Sequence, residues 1–118
     1  QKIKKRLIDE IAKARKTSQK IIGYGASAKG NTLLNFSKIN LDYIVDDNPL
    51  KQNTFTPGMR IPIKSRKSLI TLKKNKKVTF LLLVWSNIYK EIRIKIKKIR
   101  NSKKDRFIKF FPKVLTLK

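Results

Sequence analysis

The sequence predicts an α/β fold, a doubly wound and mainly parallel sheet of about five strands with helices on both faces. Three observations predict it. Two β-branched residues, Ile21-Ile22, run straight into a glycine-rich bend that opens into a helical stretch. Short apolar runs alternate with amphipathic helical segments along the whole chain. Val78 to Trp85 is apolar at nearly every position, as a central strand covered on both faces must be.

Taken in order, Lys2 to Thr17 reads as an amphipathic helix with Ile3, Leu7, Ile8, Ile11 and Ala12 on its inner face. Residues 1–18 are expected to connect this domain to a preceding one. Lys20 to Tyr24 is the first strand. Its helix follows from Ser27 to about Phe36 and buries Leu33, Leu34 and Phe36. Asn40 to Asp46 is the second strand, and it ends in dense turn chemistry, Asp46-Asp47-Asn48-Pro49. A loop of some dozen residues leads through Thr56-Pro57-Gly58 to a short strand, Arg60 to Ile63, whose Pro62 assigns it to a sheet edge.

Ser65 to Lys74 reads as a short helix capped by Ser65, with Leu69, Ile70 and Leu72 inward. After the Val78 strand, Asn87 is expected to cap a helix from Ile88 to Asn101. Ile88, Ile92, Ile96 and Ile99 form its buried stripe, with Ile94 outside it. Arg106 to Phe111 is the last strand, closing with Pro112-Lys113-Val114. The 118 residues make one domain, residues 1–118, and a piece of a longer protein is plausible on that length.

Composition removes several kinds of chemistry. There is no cysteine, so disulfides and thiolate metal sites are excluded. There is no histidine, which removes the commonest general base and any Ser-His or Cys-His nucleophile. No catalytic or metal-binding residue is therefore assigned. The longest apolar run is far too short to span a bilayer, and no signal peptide is recognisable, so the expected location is the cytoplasm.

The net charge of +24 is carried by 24 lysines and only 7 arginines, spread along the chain. Base readout and phosphate clamps favour arginine. The charge is read mainly as a solvated surface coloured by composition, with some attraction toward phosphorylated molecules. Nucleic acid should bind only non-specifically and let go by physiological ionic strength.

The glycine bend, Gly23-Tyr24-Gly25-Ala26-Ser27-Ala28-Lys29-Gly30-Asn31, is the candidate anion site. Gly23 permits the tight turn and Gly25 lets a ligand approach the backbone. Ala28 takes the third small position of the Gly-x-Gly-x-x-Gly/Ala pattern, where helix and strand pack closely. The first amides of the helix carry partial positive charge. Lys29 in the helix's first turn is disfavoured by the dipole, unless it meets a phosphate. Asp46, at the end of the second strand, sits where an acid either accepts hydrogen bonds from a ribose or sugar hydroxyl or caps the turn that follows. In such a sheet three segments converge beyond the carboxyl ends of the strands: 23–31, 46–51 and 85–87. Trp85 there either stacks on a base or, as is more common for a Trp at a strand end, covers the core from the rim. The whole arrangement is Rossmann-like.

Four ordered blocks carry a resemblance. Gly23 to Thr32, Asp46-Asp47-Asn48-Pro49-Leu50-Lys51-Gln52, Thr56-Pro57-Gly58 with Ile61-Pro62-Ile63, and Trp85-Ser86-Asn87 with Glu91-Ile92 together resemble the C-terminal domain of sugar C-methyltransferases. The resemblance covers about residues 20 to 114. Ser86 splits the family's Trp-Asn pair, and the last strand is heavily basic.

The resemblance implies a three-part enzyme. A zinc-binding, cysteine-rich N-terminal region and a central S-adenosylmethionine domain would precede this one. This domain would help to hold a nucleotide-linked deoxysugar of the dTDP type, and the methyl would go to a sugar carbon beside a carbonyl. The general base and the methyl donor would belong to the central domain, so this chain would need no cofactor and would not be catalytic alone. The partners implied are the nucleotide sugar and the upstream domain, with no specific nucleic acid and no membrane. Asn48, Lys51, Trp85 and Asn87 join the loop residues and Asp46 as substrate-binding candidates. Three other readings stay open on the residues: a nicotinamide-binding oxidoreductase domain, a nucleotide-sugar domain of an acyltransferase, and a nucleic-acid-binding module.

Overall fold

A computed structural model describes residues 2–110 and 114–118. The strands β1 (Lys20–Tyr24), β2 (Tyr43–Val45), β3 (Ile63–Lys64), β4 (Val78–Leu82), β5 (Arg106–Lys109) and β6 (Leu115–Leu117) form one sheet in the order β3-β2-β1-β4-β5-β6. The first five are parallel and β6 runs antiparallel to β5. The α/β class and the mainly parallel sheet are as the sequence predicts. The strand number is six, one more than expected. Leu115–Leu117 is the addition, too short and too near the chain end to carry a pattern.

The helices α1 (Lys2–Thr17) and α2 (Ala28–Ser37) cover one face, and α3 (Tyr89–Arg100) covers the other with the 3-10 helix Arg66–Thr71. Alternation along the strands divides the core between the faces. Ile21, Ile44, Leu81 and Ile108 point toward α1 and α2, while Ile22, Tyr43, Phe80 and Phe107 point toward α3. Phe80 and Phe107 stack across β4 and β5 with centroids 5.5 Å apart. Among the described residues no helix is long and apolar enough to cross a membrane.

Several sequence expectations are corrected. In α1 the buried stripe is Leu7, Ile11 and Ala14, at i, i+4 and i+7; Ala12 is exposed and Ile8 is 37% exposed. In α2 Leu34 is buried and Leu33 partly so, whereas Phe36 is 56% exposed, with the Lys4 ammonium 4.7 Å from its ring centroid.

The predicted helix from Ser65 tightens to a 3-10 segment, Arg66–Thr71, and the Ser65 side chain does not cap it. Ser68 Oγ donates to the Ser65 carbonyl at 2.7 Å and Thr71 Oγ1 to the Ser68 carbonyl at 3.0 Å. Such local bonds compete with the α-helical ladder. A repeat of three residues then puts Leu69 and Leu72 on one side and leaves Ile70 in solvent, 64% exposed.

Asn87 does not cap α3. It lies exposed in a one-turn 3-10 helix, Ser86–Ile88, and Ile88 occupies the cap position without a side-chain bond. The inner stripe of α3 is Tyr89, Ile92, Ile96 and Arg100, with Ile88 and Ile99 only partly buried. The second strand shortens to Tyr43–Val45, and the edge strand is Ile63–Lys64, just after Pro62. Phe111, Pro112 and Lys113, expected to end the last strand and follow it, lie outside the described residues.

Candidate functional site

The strand order reverses between β1 and β4: from β1 the chain steps outward to β2 and β3, then returns to β4 on the other side. In open α/β sheets the ligand crevice lies at that reversal, beyond the carboxyl ends of the strands. Two cavities open there, on the α1 and α2 face. One, of about 350 Å³, is walled by Ser27 to Gly30 on one side and Leu83 to Ser86 with Phe110 on the other. The second, of about 460 Å³, lies between Gly25 to Ala28, Asn31 and Thr32 on one side and Lys51 with Thr54 to Pro57 on the other. Ser27, Ala28 and Leu83 belong to both walls, so the two make one groove straddling the glycine loop.

The loop is held by bonds from every side. Gly25 N donates to the Val45 carbonyl at 2.8 Å. Gly25 has φ +98, and a Cβ there would lie 2.5 Å from Val84 Cγ1. Ser27 caps α2: its Oγ accepts from Gly30 N at 3.0 Å and donates to the Leu83 carbonyl at 2.9 Å, so the helix start is tied to the end of β4. Lys51 Nζ donates to the Ala26 carbonyl at 2.8 Å. Asn48 Oδ1 accepts from Leu50 N at 3.0 Å and shapes the turn after β2.

Asp46 braces the loop. Its Oδ2 accepts from Ala26 N at 2.7 Å and its Oδ1 from Asn48 N at 2.8 Å. Truncation should therefore loosen both turns at once. For Asp46→Ala the expected loss is about 1–3 kcal/mol, the usual range for hydrogen bonds to a charged group. Hydrogen exchange is expected to quicken at the Ala26 and Asn48 amides while those of β4 stay protected.

The small residue that permits close packing is Gly30, not Ala28. Ala28 is exposed, whereas a Cβ on buried Gly30 would lie 2.9 Å from Leu83 Cβ and 3.0 Å from Ser27 Oγ. Ala28 is instead the first residue of α2, and the close contact falls two positions further on. Gly23 does not make the turn: it lies within β1, where a Cβ would stand 2.9 Å from Leu41 and 3.0 Å from Ile44, so its smallness serves core packing.

Tyr24 points to the opposite face. Its hydroxyl donates to both Asp47 oxygens, at 3.0 and 2.9 Å, and Arg66 Nε pairs with the same carboxylate at 2.8 Å. Burial first, then the Asp47 hydrogen bond and charge, push the phenol far above its ordinary range, so it stays a proton donor.

Lys29 and Trp85 meet at the groove's mouth. The Lys29 ammonium lies 5.0 Å from the Trp85 ring centroid, and the ring is 69% exposed. Asn31 lines the second cavity, and its Oδ1 is buried without a hydrogen-bond partner among the described residues. Of the sequence-derived candidates, Gly25 to Asn31, Lys51 and Trp85 line the groove; Asp46 and Asn48 stand behind the loop as supports; Asn87 stays outside it. Phe110 and the stretch from Thr54 to Phe55 were missed. Phe110 directly follows β5, so the rule that ligands meet strand carboxyl ends would have pointed to it.

A glycine loop, a capped helix start and a groove at the reversal of strand order put the candidate site where open α/β sheets hold their ligands. The chain belongs to the C-methyltransferase C-terminal domain family, whose model matches residues 1–112. No curated protein matches the sequence.

Proposed function

We propose that this chain is the acceptor-binding part of an S-adenosylmethionine-dependent sugar C-methyltransferase of the cytoplasm and that it holds a nucleotide-linked deoxysugar, of the dTDP type, in the groove beside the glycine loop. The observation that carries this reading is the two-lobed groove itself. An apolar lobe bears Trp85 and Phe110, a more polar lobe bears Asn31, Thr54 and Thr56, and the head of α2 lies between them. A base would stack on Trp85 beside Lys29. A diphosphate would lie on the Ser27 and Ala28 amides, in the positive field of the helix terminus. A sugar hydroxyl would donate to Asn31 Oδ1, whose buried acceptor has no protein partner among the described residues.

Family membership supports the methyltransferase setting. Any zinc would be held by a preceding domain, because a sequence without cysteine or histidine offers neither thiolate nor imidazole, and the methyl donor would be held there too. The helix α1 would then connect the two. By itself the chain would catalyse nothing.

Trp85 is the single tryptophan of the chain, so its fluorescence reports on this groove alone. Titration with dTDP is expected to quench it, and S-adenosylmethionine to leave it unchanged. For Trp85→Ala, followed by calorimetry, dTDP affinity is expected to fall by about five- to a hundredfold, the loss of one base–aromatic stack of about 1–3 kcal/mol. The melting temperature should hold, because the ring is mostly solvated. Tight binding of S-adenosylmethionine with no response to dTDP would overturn the reading.

A further inference from the structure

The opposite edge of the sheet carries a second surface that the groove does not explain. A shallow basin of about 720 Å³ runs across the amino ends of β1, β4 and β5, and its cations are Lys16, Lys76, Lys77, Lys104 and Arg106. No acidic side chain lines it. Three of these cations are tied to neutral groups. Lys77 Nζ donates to Thr17 Oγ1 at 2.9 Å, Lys104 Nζ to the Asn75 carbonyl at 2.8 Å, and Arg106 Nη1 to the carbonyls of Lys103, Lys104 and Asp105. Among the described residues none of the five forms an ion pair with a carboxylate.

The nearest acid is turned inward. Asp105 is 3% exposed and spends both oxygens on Arg100 and on Val78 N. Arg100 in turn grips the carbonyls of Lys73 and Lys76, and Gln19 Nε2 donates to the same two carbonyls. The loop that carries the basin's lysines is thus fixed from inside. Elsewhere Asp46, Asp47 and Glu91 stand by the carboxyl ends of β2 and β4, Asp42 precedes β2, and Glu10 lines the neighbouring cavity that shares Thr17, Lys77 and Arg106 with the basin. Positive charge that no lining carboxylate offsets therefore collects at the amino ends of β1, β4 and β5.

We propose that this basin docks an acidic segment of a partner protein, a run of glutamate or aspartate side chains. Charge complementarity names the partner's sign, and the lining narrows its kind. No aromatic ring offers a platform for a base, and no large apolar side chain offers insertion into lipid. Four lysines supply point charges rather than the paired forks that arginines offer to phosphate. Gln19 and Asn75 beside them provide neutral hydrogen-bonding groups suited to a peptide backbone.

The test is fluorescence anisotropy with a labelled oligoglutamate peptide at physiological ionic strength. The wild-type chain is expected to bind it. The triple variant Lys16→Gln, Lys76→Gln, Lys104→Gln removes three exposed cations from the basin, and three ion pairs of ordinary exposed strength multiply to about a tenfold loss. A control triple of equal charge change outside the basin lining, Lys5→Gln, Lys67→Gln, Lys90→Gln, is expected to lose less than about twofold. Equal loss in both triples would mean a diffuse field and overturn the proposal. So would no binding by the wild type, or tighter binding of a single-stranded oligonucleotide of equal charge.

Discussion

Arg100→Ala is expected to cost about 3–5 kcal/mol, the range for breaking a buried ion pair by removing one partner. Arg100 has no exposed surface, and its guanidinium forks onto Asp105 with Nε to Oδ2 and Nη2 to Oδ1 both at 2.9 Å. The remaining N–H groups reach the Lys76 carbonyl at 2.9 Å and the Lys73 carbonyl at 3.0 Å. Truncation strands a buried carboxylate and removes one of the two side-chain donors to the Lys73 and Lys76 carbonyls, which Gln19 Nε2 still reaches. Against a typical domain stability of about 5–15 kcal/mol, the variant keeps only a narrow margin.

Thermal melting should fall by about 15–25 °C, and urea titration should show the same loss with an unchanged slope. Arg100→Lys keeps the charge but cannot fork, so it should recover only part of the loss. The double variant Arg100→Met, Asp105→Leu removes both charges together and is expected to be more stable than Arg100→Ala, because no unpaired ion remains.

Gly25→Ala is expected to damage the groove more than any other single methyl group. The residue has φ +98, where a side chain costs about 1–3 kcal/mol, and the new Cβ would stand 2.5 Å from Val84 Cγ1. Relief requires the loop to swing away from β4, which breaks the Gly25 N to Val45 bond and moves the Ser27 and Ala28 amides. Affinity for dTDP in the tryptophan titration should drop by more than about tenfold, since misplaced amides lose an anion that tolerates little displacement. Val84→Ala in the same chain removes the clash but not the backbone strain. It should restore part of the stability and less of the binding.

Much of this was legible in the sequence because it rests on local chemistry. The strand of Ile21 and Ile22, the glycine bend at Gly25 and the apolar β4 declare themselves through residue type and spacing. The failures are also physical. Arg100 lies four residues past Ile96, so periodicity puts it inward while its charge argues for solvent; only the distant Asp105 resolves the conflict. Asp46 stands where a ribose acceptor belongs, yet turn geometry gives both its oxygens backbone partners. The Arg66–Thr71 segment tightened because Ser68 and Thr71 bond back to carbonyls three residues earlier, which apolar spacing alone does not register. Asn87 misled because a cap residue is effective only at the first turn, and the chain makes a separate 3-10 turn before α3 begins.

The sheet's connectivity also sets a timetable for synthesis. Ile22 of β1 is flanked by Tyr43 of β2 and by Phe80 of β4, so its second neighbour comes 58 positions later, 80 minus 22. At a ribosomal pace of about 5–20 residues per second, the central strand waits about 3–12 seconds with one long edge unmatched. Throughout that interval the nascent chain displays Ile21 and Ile22 beside an open row of backbone donors and acceptors. Heavy lysine content in the surrounding segments keeps such half-made chains apart by mutual repulsion, a service to the polypeptide before it has folded at all.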